Sequence, residues 1–210
     1  MKYKVMIVED QTMPRELFEL RIQASEHFEV ALSIDNAALA DVYCLRFPVD
    51  LILMDVVTRN GESGLDAAER IKRAFPQIKI IIVTSMPECS YLSRAREIGV
   101  ESFWYKEEQR ESLLDVMERT MAGESVYPDA TPELQLGLAS SYKFTDRELE
   151  VLREMTGGDT NQEIAERLHM SVATVKTHIL NMLEKTGFRN RTELAVRARE
   201  SGLVILNRKN

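Results

Sequence analysis

Cysteine occurs only twice, at Cys44 and Cys89, with neither a CxxC pair nor a histidine-rich neighbourhood. A disulfide framework and a zinc site are not indicated, and both residues are expected to serve packing. No apolar run approaches the roughly 18 residues that would cross a bilayer. The apolar stretch in the opening MKYKVMIVED is too short, and too soon followed by acids, for a secretory leader. The expectation is therefore a cytoplasmic protein without membrane contact. Internal repeats and low-complexity segments are also missing, as is any overall excess of positive charge: 27 Lys+Arg face 34 Asp+Glu, a net charge of -7. The balance is uneven along the chain. Residues 1–127 carry 15 basic and 22 acidic side chains, whereas residues 169–210 carry 8 and 3. A modestly basic tail on an acidic remainder is compatible with a polyanion partner at one end only.

What is present is a change of period. Strand patterns stand at 3–8, 28–34, 50–55, 78–85 and 102–105, and helical patterns lie between and after them at about 12–26, 36–46, 64–75, 88–98 and 108–122. Five βα units in series predict a doubly wound α/β domain over residues 1–122, with a five-stranded parallel sheet covered by helices on both faces. Runs such as LILM and IIIV suit strands buried on both sides. Residues 123–143, with two Pro and two Gly, predict a linker holding one short helix around 132–138. From 144 to 210 the period is helical throughout. Thr145 with Glu148, Thr160 with Glu163 and Asn190 with Glu193 mark helix starts, and Ser171 opens another, giving a small all-α domain of four helices.

In a doubly wound sheet the ligand crevice lies outside the carboxyl ends of the strands. Those ends carry Glu9 and Asp10, then Asp55, then Thr84 and Ser85, then Lys106. An acid ending one strand is more often a turn or cap residue; several polar groups, each at its own strand end, make a site. Three carboxylates in one crevice repel unless a cation joins them, and a hard oxygen-seeking Mg2+ suits such donors. Metal, lysine, hydroxyl and carboxylate together are the apparatus of phosphoryl transfer, with Asp55 as the nucleophile.

These residues resemble the receiver domain of bacterial two-component response regulators, a flavodoxin-like fold, over about residues 3–122. The resemblance implies that Asp10 and Asp55, with the backbone carbonyl of Val57, hold Mg2+, and that Glu9 acts mainly through water. It implies that a cognate histidine kinase donates the phosphoryl group to Asp55. It also implies a switch in which Thr84 moves toward the phosphate and the aromatic Phe103 turns inward. The loop VVTRNGESG departs from the family pattern: it has no Pro, and its Gly64 stands nine residues after the acceptor, one more than usual. The Asn60-Gly61 pair offers a turn to absorb the extra residue. Lys106 is followed by Glu107 rather than Pro.

In the tail, QEIAERLHMSVATVKTHILNML reads as two short helices joined by LHM, with Ala165 as the small residue at their crossing. His169 holds the turn position that often needs φ > 0. Val172, Val175, Ile179, Met182 and Leu183 form the apolar stripe of the second helix. Lys176 and Thr177 lie opposite, suited to a groove floor or to phosphates, and the helix start at Ser171 faces an anion. Leu180, on that same face, suits either a thymine methyl or a neighbouring helix. Residues 144–198 resemble the LuxR-type helix-turn-helix through T-x-R-E-x-E-V-L, G-x-x-N-x-E-I-A and S-x-x-T-V-K-x-H. That resemblance implies a four-helix domain with Lys176 and Thr177 in the major groove of double-stranded DNA and Asn161, Thr174 and Arg191 near phosphates.

The combined expectation is a response regulator of the NarL/FixJ type that controls transcription at promoter operators, with RNA polymerase as a further partner. It is expected to pair as a homodimer when phosphorylated, through the helices beside Lys106 or through the first helix. Two alternatives remain: an atypical regulator controlled without phosphorylation, and an aspartyl-phosphate phosphohydrolase. The second wants a further acid two residues after the nucleophile, where this chain has Val57.

Overall fold

The computed structural model describes residues 2–85, 90–106, 112–129 and 131–204. The described residues form two compact units that divide between Asp129 and Thr131. In the first, β1 (Tyr3–Val8), β2 (Phe28–Ile34), β3 (Leu51–Met54), β6 (Lys79–Thr84) and β7 (Ser102–Tyr105) build one parallel sheet in the order β2-β1-β3-β6-β7. Two further strands of two residues each, β4 (Val57–Thr58) and β5 (Glu62–Ser63), pair antiparallel outside that sheet. The strands fall within the predicted windows. The apolar runs are buried because both faces are covered: Leu51, Ile52, Leu53 and Met54 are all fully buried, as are Ile80 to Val83.

Side chains alternate across the sheet. Leu51, Leu53, Ile81, Val83 and Trp104 point to one core, closed by Phe18 and Ile22 of α1 (Thr12–Gln23) and by Leu113, Val116 and Met117 of α5 (Leu113–Met121). Phe103 and Tyr105, one residue out of step with Trp104, point to the other face. The remaining helices are α2 (Ala40–Arg46), preceded by a 3-10 turn over Ala37–Leu39, α3 (Gly64–Ala74) and α4 (Ser90–Ile98). The helix expected over 36–46 is thus split, its start set by Asn36, whose side chain accepts from the Ala38 N–H. The first helix ends at Gln23 rather than about 26. The expected starts of the helices at 88 and 108 lie outside the described residues, as does Cys89. Cys44 is a free, buried thiol.

The second unit corrects one expectation. No helix forms around 132–138; β8 (Gln135–Leu136) and β9 (Ala139–Ser140) make a tight antiparallel hairpin instead. Its turn is set by a contact distant in sequence. Leu138 N–H donates to the Thr186 carbonyl at 2.9 Å, and Gly137, at φ +62°, lies so close that a Cβ there would sit 2.2 Å from the same oxygen. The hairpin therefore caps a carbonyl at the carboxyl end of α8 (Val172–Thr186).

The four helices of this unit, α6 (Asp146–Thr156), α7 (Asn161–Arg167), α8 and α9 (Arg191–Glu200), begin where the capping signals place them. Thr145 with Glu148 and Thr160 with Glu163 form complete reciprocal boxes. At the third, Asn190 accepts from Glu193 N–H, but Glu193 reaches back to Arg189 N–H instead. His169 takes φ +53° in the turn between α7 and α8. Val175, Ile179 and Met182 are buried with Ile164, Ala165, Leu152 and Leu194 in one core.

Candidate phosphoryl-acceptor site and nucleic-acid interface

The final ladder bonds of the parallel sheet assemble the site. Glu9 N–H donates to Ile34 O, Asp55 N–H to Val8 O and Lys106 N–H to Thr84 O, each at 2.9 Å. These bonds bring the residues just past β1, β3 and β7 to one edge. Lys106 Nζ then bridges two carboxylates, 2.7 Å from Asp55 Oδ2 and 2.5 Å from Glu9 Oε2. Asp55 Oδ1 accepts from the Val56 N–H at 2.7 Å, and Glu9 Oε1 from the Gln11 N–H at 3.1 Å. Glu9 is fully buried and Asp55 is 4 % exposed. Asp10 is the most open of the three, and one oxygen of each of these carboxylates lies within 4.8 Å of the others. Lys106 engages Glu9 directly, at the fully buried end of β1.

The electrostatics follow from burial. Desolvation raises the Asp55 pKa to about 6; Lys106 pulls it down and Glu9 pushes it up, leaving it well above an ordinary carboxylate. Desolvation alone would lower the Lys106 ammonium, but attraction to Asp55 and Glu9 outweighs it and its pKa ends raised. Three acids and one lysine leave an excess of negative charge in a buried setting. That donor set, all oxygen and partly open at Asp10, fits a small hard divalent cation.

The loop after the acceptor folds into the β4–β5 hairpin. Asn60 (φ +64°) and Gly61 (φ +74°) make the reversal. Gly64 N–H then donates to Val56 O at 2.8 Å, and a Cβ on Gly64 would lie 1.8 Å from the Asp55 carbonyl oxygen. A glycine is required there because α3 starts against the backbone of the acceptor itself. Val57 pairs with Ser63 in the hairpin. Thr84 is fully buried at the end of β6, and Phe103 is 2 % exposed, 5.0 Å from the Tyr105 ring and 6.2 Å from the Tyr127 ring between centroids. Tyr127 was missed by sequence reasoning, since nothing local marks a linker tyrosine as a partner of β7.

In the second unit Lys176, Thr177 and Leu180 share one exposed face of α8, with Leu180 56 % exposed. Thr177 Oγ1 donates to the Ala173 carbonyl at 3.0 Å. Ser171 caps α8 by accepting from Thr174 N–H, and the two hydroxyls meet at 2.7 Å. Asn161 and Arg191 are brought together: the guanidinium donates to Asn161 Oδ1 at 2.9 Å and to the Asp159 carbonyl at 2.7 Å, tying α9 to the start of α7. The sequence also missed the pair of Lys185 with the buried Glu148, 2.6 Å apart.

Residues 5–118 match the response regulator receiver domain, and residues 142–198 match the bacterial regulatory proteins of the luxR family. The chain is a LuxR-type response regulator. Response regulator protein VraR of Staphylococcus aureus is 31% identical to it over 212 residues, which span 97% of this chain and 100% of VraR. The Staphylococcus epidermidis VraR is 32% identical over the same shares. Among solved structures, an RcsB–DNA complex aligns with a TM-score of 0.63 at 19% identity, over 95% of this regulator and 98% of that chain. RcsB from Salmonella enterica serovar Typhimurium, bound to a promoter in the presence of a phosphomimetic, gives 0.62 at 20% identity, over 97% and 100%. These likenesses establish a fold of a parallel-sheet receiver followed by a helical DNA-binding domain, and the family is one of transcription regulators. No described helix of the regulator is long and apolar enough to cross a membrane.

Proposed function

We propose that the regulator is switched by phosphorylation of Asp55 and that the switch governs its binding to promoter DNA. The observation carrying this reading is the buried Asp55 carboxylate, held at 2.7 Å by Lys106, with Glu9 and Asp10 gathered beside it. An Asp55 oxygen attacks the phosphorus of a phosphohistidine on the cognate histidine kinase; the new O–P bond forms as the N–P bond breaks, and the imidazole leaves. Glu9, Asp10, Asp55 and the Val57 carbonyl would hold Mg2+, which when bound offsets the charge of the phosphoryl oxygens. Lys106 supplies a second, covalently fixed cation and keeps Asp55 oriented, while the Thr84 hydroxyl serves the phosphoryl oxygens and Phe103 follows it. The β4–β5 hairpin makes its reversal at the exposed Asn60 and Gly61, which favours this reading over control without phosphorylation.

On DNA, Lys176, Thr177 and Leu180 face the major groove from the open side of α8. Ser171, Thr174, Asn161 and Arg191 support the approach to phosphates. So few basic contacts on one small domain call for two copies on two half-sites, as a phosphorylated homodimer. A solved structure of two RcsB dimers bound to two parallel DNAs agrees with that arrangement. By this reading the regulator works in the cytoplasm on promoter DNA, with RNA polymerase as a further partner. The receiver covers residues 1–122 with the start of the linker, to Asp129, fastened to it, and the DNA-binding domain is the four-helix unit from residue 144 with the hairpin over 135–140 packed into its core.

The test is incubation with Mg2+ and acetyl phosphate, followed by intact mass and operator binding, for wild type and Asp55→Asn. One phosphoryl group on the wild type, none on the variant, and tighter DNA binding only for the wild type are expected. A wild-type chain that gains no mass refutes the reading.

A further inference from the structure

The start of the linker is fastened to the edge of the receiver sheet beside Phe103. Phe103 N–H donates to the Val126 carbonyl at 2.8 Å, and Val126 N–H donates to Ser102 Oγ at 3.1 Å. Ser102 Oγ meets Thr120 Oγ1 at 2.7 Å, and Thr120 Oγ1 donates to the Val116 carbonyl at 2.6 Å. Since the Thr120 proton is committed to Val116, the Ser102 hydroxyl must donate to Thr120 and accept from Val126. A directed chain of hydrogen bonds therefore runs from the linker through β7 into α5.

Tyr127 completes the fastening. Its hydroxyl donates to the Val100 carbonyl at 2.9 Å, its ring lies 6.2 Å from Phe103, and the Arg96 guanidinium of α4 stacks 4.6 Å above it. Burial, partly offset by Arg96, pushes the phenol up to about 12, so it stays a proton donor near neutrality. Ser125 Oγ adds a bond to the Glu101 carbonyl at 2.8 Å.

The next anchor along the chain is Thr131, whose carbonyl accepts from the Tyr142 hydroxyl at 2.5 Å within the DNA-binding unit. Four Cα steps separate Tyr127 from Thr131, a reach of at most about 14 Å. Were residues 125–127 freed, seven steps from Glu124 would reach about 24 Å.

We propose that Ser125, Val126 and Tyr127 form a releasable latch on β7 that sets the tether length of the DNA-binding domain, and that phosphorylation opens it by drawing Phe103 away from the Tyr127 ring. The coupling rests on the reading of Asp55 and Phe103 above; the latch itself rests on the contacts alone. Tyr127 is a positioning residue, since it touches neither the acceptor nor DNA.

The test is amide hydrogen exchange at Phe103 and Val126 in the full chain. In the unmodified protein, Tyr127→Ala is expected to speed exchange at both amides at least about tenfold, the factor that corresponds to roughly 1.4 kcal/mol. Tyr127→Phe, which keeps the ring and loses only the bond to Val100, is expected to give a smaller increase. Wild type treated with Mg2+ and acetyl phosphate is expected to show the same acceleration in the fraction that intact mass reports as phosphorylated. Unchanged exchange in both variants overturns the latch. A mass gain with unchanged exchange overturns the coupling while leaving the acceptor in place. No mass gain at all overturns the acceptor reading and the coupling together, and the two variants then decide the latch.

Discussion

Replacing Gly64 by Ala is the sharpest probe of how the acceptor loop is built. The added Cβ would lie 1.8 Å from the Asp55 carbonyl oxygen, 2.9 Å from its carbon and 3.0 Å from Met54 Cγ. Relief to an ordinary contact of roughly 3.5 Å requires the start of α3 to retreat by more than about 1.5 Å. That retreat breaks the Gly64 N–H bond to Val56 O and disturbs the Ser63 cap on Asp66 N–H. Losses of about 1 kcal/mol for the bond, about 1 for the cap and about 1–2 for strain sum to roughly 3–4 kcal/mol. For a domain of this size about 4 °C accompanies each kcal/mol, so the receiver midpoint should fall by about 12–16 °C. The assay is selective because Trp104 is the only tryptophan and lies in the receiver core, so its fluorescence reports that unit. Gly61→Ala is the control: nothing lies within 4 Å of its Cβ, and only the left-handed φ of +74° resists it. It should lose about 1 kcal/mol, or about 4 °C. Equal shifts for the two variants would refute the close approach as the reason for Gly64.

Other outcomes are equally specific. Because burial raises Asp55 to about 6 in the folded chain, the native state holds its proton more tightly than the unfolded one. The group thus costs stability above pH 6, and that cost fades as pH falls from 6 toward 4. Asp55→Asn should therefore raise the metal-free unfolding free energy read from Trp104 at pH 8, by up to about 2–3 kcal/mol, and leave it nearly unchanged at pH 4. Lys176→Ala should weaken operator binding and reduce the salt slope of the logarithm of affinity by about 1 per domain. Glu148→Ala removes the reciprocal cap of α6 and strands Lys185; circular dichroism should show the helical unit destabilised by roughly 3 kcal/mol with the Trp104 transition unmoved.

Much of this was legible in the sequence because it is written locally. The five strands of the parallel sheet announce themselves as short apolar runs, and each tail helix starts on its own capping residue, so a few neighbours suffice to place it. The acidic residues and Lys106 were legible for a different reason: a doubly wound sheet sends its strand ends to one edge, and Glu9, Asp55 and Lys106 are such ends. What escaped depends on partners far along the chain. Gly137 and Leu138 turn into a hairpin because Thr186, nearly fifty residues later, offers a carbonyl. Glu148 meets Lys185 across 37 positions, and Tyr127 finds Phe103 only because the linker doubles back along β7. The third capping signal was half right, since Glu193 chose the Arg189 N–H over that of Asn190.

The returning linker also shields what would otherwise be a bare sheet margin. β7 is the last strand of the sheet, and Ser102 to Tyr105 are all buried; with residues 124–127 stripped away, the Phe103 amide would stand unpaired on an aromatic strand, a template for stacking against another molecule. A receiver fragment cut at residue 122 should accordingly clump in concentrated solution, while one extended to Asp129 should stay dispersed. Anyone isolating this half of the regulator is better served by the longer piece.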